Sequence, residues 1–283
     1  MVYRFADCEL DEQLYQLWRA GAPVAVEPKV FDVLVYLRGW EQAIRAYAGT
    51  KREINEQARQ LFEQAIALDP HYALAYTGLG MTYWRDWYLR WSSDPAQSMQ
   101  RAMEFARHAI TLDDTLPHAR TSLGVLYMWQ KQLPQAIAEA ERAIALDPNF
   151  AEGFSILGNI LIFAGRPQES IELIEKAIRL NPRQVGAYST SLPLAYRDAG
   201  RYEDAITSAQ KILAVTPDAV HYYFTLAFCF AQLGQETDAR AAVEKIRQLQ
   251  PSASLEWVQK TVPYANPADL ERLVAGLRKA GLK

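Results

Sequence analysis

The stretch AIAEAERAIALDPNFAEGFSILG, Ala136 to Gly158, decides the fold, because its parts recur along the chain at a fixed spacing. A proline closes the first half of the phrase at Pro148, and matching prolines stand at Pro70, Pro182, Pro217 and Pro251. The last three gaps are 34, 35 and 34 residues, and Asp114 occupies the vacant slot 34 residues before Pro148. Twelve residues before each of these positions stands a small side chain: Ala58, Ala102, Ala136, Ser170, Ala205 and Ala239. Five before them stand Ala65, Ala109, Ala143 and Ala177, then the larger Ile212 and Ile246. A glycine recurs at Gly165, Gly200 and Gly234, where the chain must turn between two helices.

The second half of the phrase repeats in the same register. Tyr76-Leu79-Gly80-Tyr83 returns as Phe154-Leu157-Gly158-Leu161 and as Tyr223-Leu226-Ala227-Phe230. One copy keeps Leu123-Gly124-Tyr127 but carries Arg120 in the leading aromatic slot. Another is irregular, Ser189-Leu192-Pro193-Tyr196, and Pro193 is expected to kink its helix. Each unit is thus two amphipathic helices that bury one face alone and complete their core by stacking on neighbours. Small residues allow the paired helices close approach, and the proline ends each unit.

This spacing of aromatic, Leu-Gly, Tyr, Ala, Ala and Pro resembles the tetratricopeptide repeat. The resemblance implies an all-α chain, a right-handed superhelix (α-solenoid) of about six helix pairs covering roughly Lys29 to Ala253. Three segments are expected: a short N-terminal β segment over 1–30, the array over 31–253, and a capping helix within 254–283. In the cap, Asn266-Pro267 opens an amphipathic helix of about four turns. The second unit carries ten extra residues within YWRDWYLRWSSDPAQS, Tyr83 to Ser98.

Residues 2–37 fall outside the repeat. Tyr3-Phe5 and Leu14-Leu17 alternate, Gly21-Ala22-Pro23 marks a turn, Val24-Ala25-Val26 is a strand candidate, and Glu27-Pro28 opens a helix. The run resembles the first part of the winged-helix domain of bacterial transcriptional regulators, but no recognition helix or wing follows. Arg4, Arg19, Lys29, Arg38 and Arg45 oppose seven acidic residues within positions 1–50, net −2, which argues against duplex DNA binding. The repeats, the aromatic insertion and the ending GLRKAGL also resemble a bacterial group in which such arrays accompany a winged helix or a nucleotide-cyclase domain. That resemblance implies a signalling or transcriptional setting. A DNA-binding regulator acting through the partial winged helix is the alternative function.

Composition narrows the chemistry. The net charge of −3 offers no basic surface, and no apolar run reaches the ~20 residues of a membrane span. With an acidic, aromatic N-terminus that lacks an apolar leader, the expected location is cytoplasmic. Cys8 and Cys229 are two small apolar residues far apart, and His71, His108, His118 and His221 form no ligand set. Phosphate-loop, zinc-protease and nucleophile-elbow motifs are missing, so no enzyme, metal or cofactor is expected.

In the repeat family the first helix of each pair lines a concave groove, through the second, fifth, ninth and twelfth residues of each unit. Carried onto this register, the groove candidates are Thr77, Met81 and Trp84, then Thr121, Val125 and Met128, then Ser155 and Asn159. Thr190, Leu194, Arg197, Phe224 and Phe228 complete them, and His118, Glu152 and His221 hold the second slot. Their apolar and hydroxyl character points to a protein or peptide ligand, an apolar or helical segment. Lysines that would clamp a terminal carboxylate are missing. Met128 and Phe228 read equally well as core. Trp87, Tyr88, Arg90 and Trp91 in the insertion form a second interaction patch or a cover over the N-terminal segment. Self-association stays open.

Overall fold

The computed structural model describes residues 2–5, 8–11, 16–19, 21–24 and 52–283. These fall into two compact units, residues 1–114 and 115–283.

In the first unit, β1 (Val2–Phe5), β2 (Cys8–Asp11), β3 (Gln16–Arg19) and β4 (Ala22–Val24) form a four-stranded antiparallel sheet in chain order. The register pairs Val2 with Asp11, Cys8 with Arg19 and Leu17 with Val24. This is more strand than the sequence suggested. The helix expected from Glu27-Pro28 and the leading half of the first repeat lie outside the described residues. Helices follow at α1 (Arg52–Leu68), α2 (Ala73–Tyr88) and α3 (Pro95–Leu112). The ten-residue insertion lengthens both helices of this pair. α2 runs 16 residues and α3 runs 18.

The second unit starts with α4 (Pro117–Trp129) paired with α5 (Leu133–Leu146), and α6 (Ala151–Phe163) paired with α7 (Pro167–Leu180). α4 and α6 have 13 residues and α5 and α7 have 14, the lengths from which α2 and α3 depart. The irregular repeat is split into α8 (Val185–Tyr188) and α9 (Leu192–Asp198), with a 3₁₀ turn at Ser189–Ser191 between them. Pro193 sits in the first turn of α9, where its missing N–H costs nothing, so the expected kink is a full break one turn earlier. α10 (Tyr202–Leu213) completes that pair, and α11 (Val220–Gln232) pairs with α12 (Glu236–Leu249). Two more helices end the chain, α13 (Leu255–Thr261) and α14 (Pro267–Ala280). Asn266 caps α14 by accepting from the Ala268 N–H at 3.0 Å, as its sequence suggested.

The helix junctions lie where the repeat register puts them. Ala102, Ala136, Ser170 and Ala205 are fully buried, as are Ala109, Ala143 and Ala177. Opposite them lie the glycines of the preceding helices. A Cβ at Gly80, Gly124 or Gly158 would stand 3.1 Å from the carbonyl oxygen of Ala102, Ala136 or Ser170 respectively. The same backbone-to-backbone contact thus occurs in three successive pairs, and it is why the small residues recur.

The turns repeat as well. The N–H of Gln132, Arg166, Arg201 and Gln235 each reaches back to the carbonyl of Tyr127, Leu161, Tyr196 and Phe230, at 2.8–2.9 Å. The residue before each of these donors is left-handed: Gly165, Gly200 and Gly234 at φ 75°, 77° and 73°, and Lys131 at φ 61°.

The aromatic slot that Arg120 occupies is re-paired rather than lost. In the pair α2–α3, Tyr76 meets Phe105 with ring centroids 6.2 Å apart. At the corresponding places of α4–α5, Arg120 Nη1 lies 3.1 Å from Glu139 Oε2, and both side chains are largely buried.

Candidate functional site

A surface able to receive a partner has to come from side chains that the repeats do not consume. In residues 115–283 the first helices α4, α6, α9 and α11 pack on one another in succession, as well as on the second helices beside them. They form one layer, and the groove candidates lie on it.

Much of that layer is already taken. Val125, Met128, Phe224 and Phe228 are buried at 2–8% exposure, so they serve the core rather than an open groove. Thr121 is buried too, and its hydroxyl donates to the His118 carbonyl of its own helix at 3.0 Å. In the first unit Thr77 does the same with the Ala73 carbonyl, and Trp84 is buried with its ring stacked on Tyr88. Met81, Trp87, Tyr88 and Trp91 are half-buried, and Arg90 is exposed with a left-handed backbone, so the insertion does not present a bare aromatic patch.

The C-terminal segment claims another part. The Ala265 N–H donates to the Phe163 carbonyl at the end of α6. Tyr264 inserts its hydroxyl between Arg197 and Asp198 at the end of α9, accepting from Arg197 Nη2 and donating to Asp198 Oδ2. The Arg197 and Asp198 side chains are only 4% and 6% exposed and form a two-pronged ion pair. Arg272 reaches the Asp198 carbonyl, Gly276 lies against the Phe228 ring, and Trp257 faces Phe224 at 5.7 Å between centroids. Arg197, Phe224 and Phe228, expected to face a ligand, are therefore covered by the chain's own end.

What stays open is a polar strip across α6, α8 and α9. Ser155 is half-exposed and Thr190 exposed. Asn159 ties α6 to the 3₁₀ turn between α8 and α9, its Nδ2 donating to Ser191 Oγ at 2.8 Å. Leu194 is half-buried and packs against the core. The second slot of the register adds Glu152 on α6 and His221 on α11, which the residue types alone gave no reason to prefer.

Crowding on this layer shifts their ionisation. Burial raises the Glu152 carboxyl to about 7, although part of its surface still meets solvent. Burial, and then the Glu152 charge, raise the Tyr188 hydroxyl. Burial lowers His118, against the pull of Asp147, and lowers His221 to about 4. His221 is exposed at its outer side and its ring leans on that of Tyr222, 4.0 Å between centroids. Both imidazoles are neutral at pH 7. No group of three or more His, Cys, Asp or Glu among the described residues is placed to hold a metal. No described helix is long and apolar enough to cross a membrane.

Comparison with known proteins agrees with this architecture. Residues 121–185 and 194–254 match the family model described as tetratricopeptide repeat. A protein of Rhizobium meliloti (strain 1021), provisionally named adenylate cyclase 3, is 30% identical over 111 residues. That alignment covers 39% of this chain but only 18% of the relative's length. Among solved structures, the Cut9–Hcn1 hetero-tetramer of APC/C superposes with a TM-score of 0.59 at 15% identity, over 88% of this chain and 46% of that one. PilW, a type IV pilus biogenesis factor, gives 0.53 at 18% identity, over 74% and 88% of the two chains. PilF of Pseudomonas aeruginosa gives 0.51 at 17%, over 80% and 96%. At these identities the structures speak for the fold alone, stacked helix pairs, and the repeat match is confined to residues 121–185 and 194–254.

Proposed function

We propose that this chain is a non-enzymatic scaffold that holds a segment of another protein on the first-helix layer of residues 115–283. The observation that carries the reading is the open strip of Ser155, Asn159 and Thr190, which stays accessible while the side chains around it pack into the core. The Ser155 hydroxyl and Asn159 amide on α6, with the exposed Thr190 in the turn before α9, whose hydroxyl donates to the Ala187 carbonyl at 2.8 Å and can still accept, suit recognition of a peptide backbone and its side chains. They carry no nucleophile with an adjacent base, which catalysis would need. The repeat match supports a binding role, and the partial likeness to a protein named as a cyclase supports a regulatory or signalling setting. The whole relative's activity is not carried over, since the shared stretch is a small part of it.

The alternative, DNA reading through the N-terminal segment, has one observation in its favour, the four antiparallel strands over residues 2–24. The net acidic charge of residues 1–50 weighs against it.

The test is capture from native lysate with the intact chain and with Ser155→Arg, followed by mass spectrometry. A partner retained by the first and lost by the second, with the two proteins melting alike, supports the reading. Partners captured equally by both place binding elsewhere.

A further inference from the structure

We propose that the C-terminal segment, residues 262–283, is a strap across a break in the helix stack, and that its release turns the unit of α8, α9 and α10 into a hinge.

The break shows in what the first helix of that unit fails to bury. α6 and α11, the first helices on either side, have 13 residues each and bury nine and eight of them. Between them, the ten residues from Pro182 to Ser191 bury none. They run as a 3₁₀ turn, the four residues of α8 and a second 3₁₀ turn, with Val185 48% exposed. Asn159 and Tyr222 reach this stretch by hydrogen bonds, to Ser191 Oγ at 2.8 Å and to the Thr190 carbonyl at 3.0 Å. A segment without a buried side chain has little apolar burial to hold it against local opening. What remains of the first helix inside the layer is α9, seven residues that bury Pro193, Ala195 and Arg197. Ala195 belongs to a small cluster with Ile162 and Ile171, apart from the main core of residues 115–283.

The C-terminal segment touches three consecutive first helices at their C-terminal ends. On α6, the Ala265 N–H donates to the Phe163 carbonyl at 2.9 Å, and the Tyr264 and Phe163 rings meet edge-on with centroids 5.4 Å apart. A Cβ on Gly165, in the turn after α6, would stand 3.3 Å from Asp269 Oδ2. On α9, Tyr264 engages the Arg197 and Asp198 side chains, and Arg272 donates to the Asp198 carbonyl at 3.4 Å. On α11, a Cβ on Gly276 would stand 2.3 Å from the Phe228 ring, which leaves no room for a methyl group. Leu273, Val274 and Leu277 of α14 are buried in the main core with Phe228. The far end is tied down as well: Arg247 Nη2 donates to the Gly281 carbonyl at 2.9 Å, and the Leu255 N–H to that of Lys283 at 3.0 Å. The strap thus rests on α11 by apolar packing, and it meets α9 through a buried ion pair. Such a pair holds its geometry only while its partners keep it out of water. Lifting Tyr264 wets the pair and frees α9, whereas α6 and α11 keep the apolar burial of their own repeats.

The experiment is hydrogen–deuterium exchange read by peptide mass spectrometry on the full chain. The intact protein is compared with Tyr264→Phe, Gly276→Ala and a control, Arg240→Gln, at an exposed position of α12. Circular dichroism establishes the helix content of each. In the intact chain, amides of residues 185–191 should exchange faster than those of 153–163. Gly276→Ala strikes the strap on α11, yet it should speed exchange ~10-fold at residues 195–201 as well as at 267–283, and leave α5, α6 and α7 unchanged. Tyr264→Phe should speed residues 195–201 by a similar factor, and Arg240→Gln should change neither region. Should Gly276→Ala fail to fold, Tyr264→Phe decides alone, and no change at 195–201 would overturn the proposal. Loosening confined to residues 267–283 would make the segment a cap of α11 only and overturn it too. So would an equal rise in every helix of residues 115–283, which would make the stack one cooperative block without a hinge.

Discussion

Lys131 occupies a slot where three other repeats place glycine, which makes its replacement the most informative single change in the fold. Its φ of 61° lies in the left-handed region, whose cost for a residue with a Cβ is roughly 1–2 kcal/mol. Its side chain is exposed and makes no hydrogen bond or ion pair among the described residues, so little is lost with it. Glycine relieves the strain but frees the unfolded chain by about 0.4–1 kcal/mol. The net expectation for Lys131→Gly is a gain of ~0.5–1 kcal/mol. Gly200→Ala is the mirror experiment. At φ 77° with no atom within 4 Å of the added Cβ, the change tests the backbone alone. It should cost ~1 kcal/mol. Urea unfolding followed by far-ultraviolet circular dichroism, and separately by tryptophan fluorescence, measures both. Stacked repeats can unfold in parts, so the two probes must coincide before a free energy is extracted. A loss of stability in Lys131→Gly, or no change in Gly200→Ala, would refute the assignment of one shared turn to all four pairs.

Three further outcomes follow from the packing and the charges. Arg120→Ala should cost ~1–3 kcal/mol by stranding Glu139, which keeps only the exposed Arg142 at 3.1 Å; Arg120→Tyr with Glu139→Phe, restoring the Tyr76–Phe105 arrangement, should be neutral or stabilising in chemical denaturation. Tyr264→Phe leaves the Arg197–Asp198 pair intact but removes the hydroxyl bridging it, and should lower stability by ~1–3 kcal/mol in the same assay. Stability should fall as pH rises from about 4.5 to about 7, because burial raises the Glu152 carboxyl to about 7 in the folded chain; Glu152→Gln should flatten the profile in urea unfolding. A carboxyl raised in the folded state favours folding below its unfolded value near 4.5 and loses that contribution as pH climbs to about 7.

The helix pairs were legible because their close approach needs small residues at fixed places: a Cβ added at Gly124 or Gly158 would crowd the carbonyl oxygen of Ala136 or Ser170 at 3.1 Å. The turn at Lys131 was hidden, since a lysine carries no mark of a left-handed backbone. The binding layer was read only in part, for two physical reasons. Threonines inside helices can satisfy their hydroxyls on their own backbone, so Thr77 and Thr121 need no partner. And the register says nothing about where a distant segment folds back. Tyr264, Trp257 and Gly276 meet Arg197, Phe224 and Phe228 from 33 to 67 positions away. Asn159 was placed in the open strip by the same register, but its bond to Ser191 ties it to the framework as well. Glu152 stood in the right slot all along. Its raised carboxyl comes from burial, which is a property of the folded chain.

The central claim is that a partner lies on the first-helix layer, and site-directed photocrosslinking in the native cell tests it most directly. Benzoylphenylalanine would replace Ser155 or Thr190 on that layer, and Glu172 or Gln210, both exposed, on the second helices α7 and α10. The account predicts a shared protein adduct from Ser155 and Thr190 and none from Glu172 or Gln210. An adduct formed from the second-helix positions alone would contradict it.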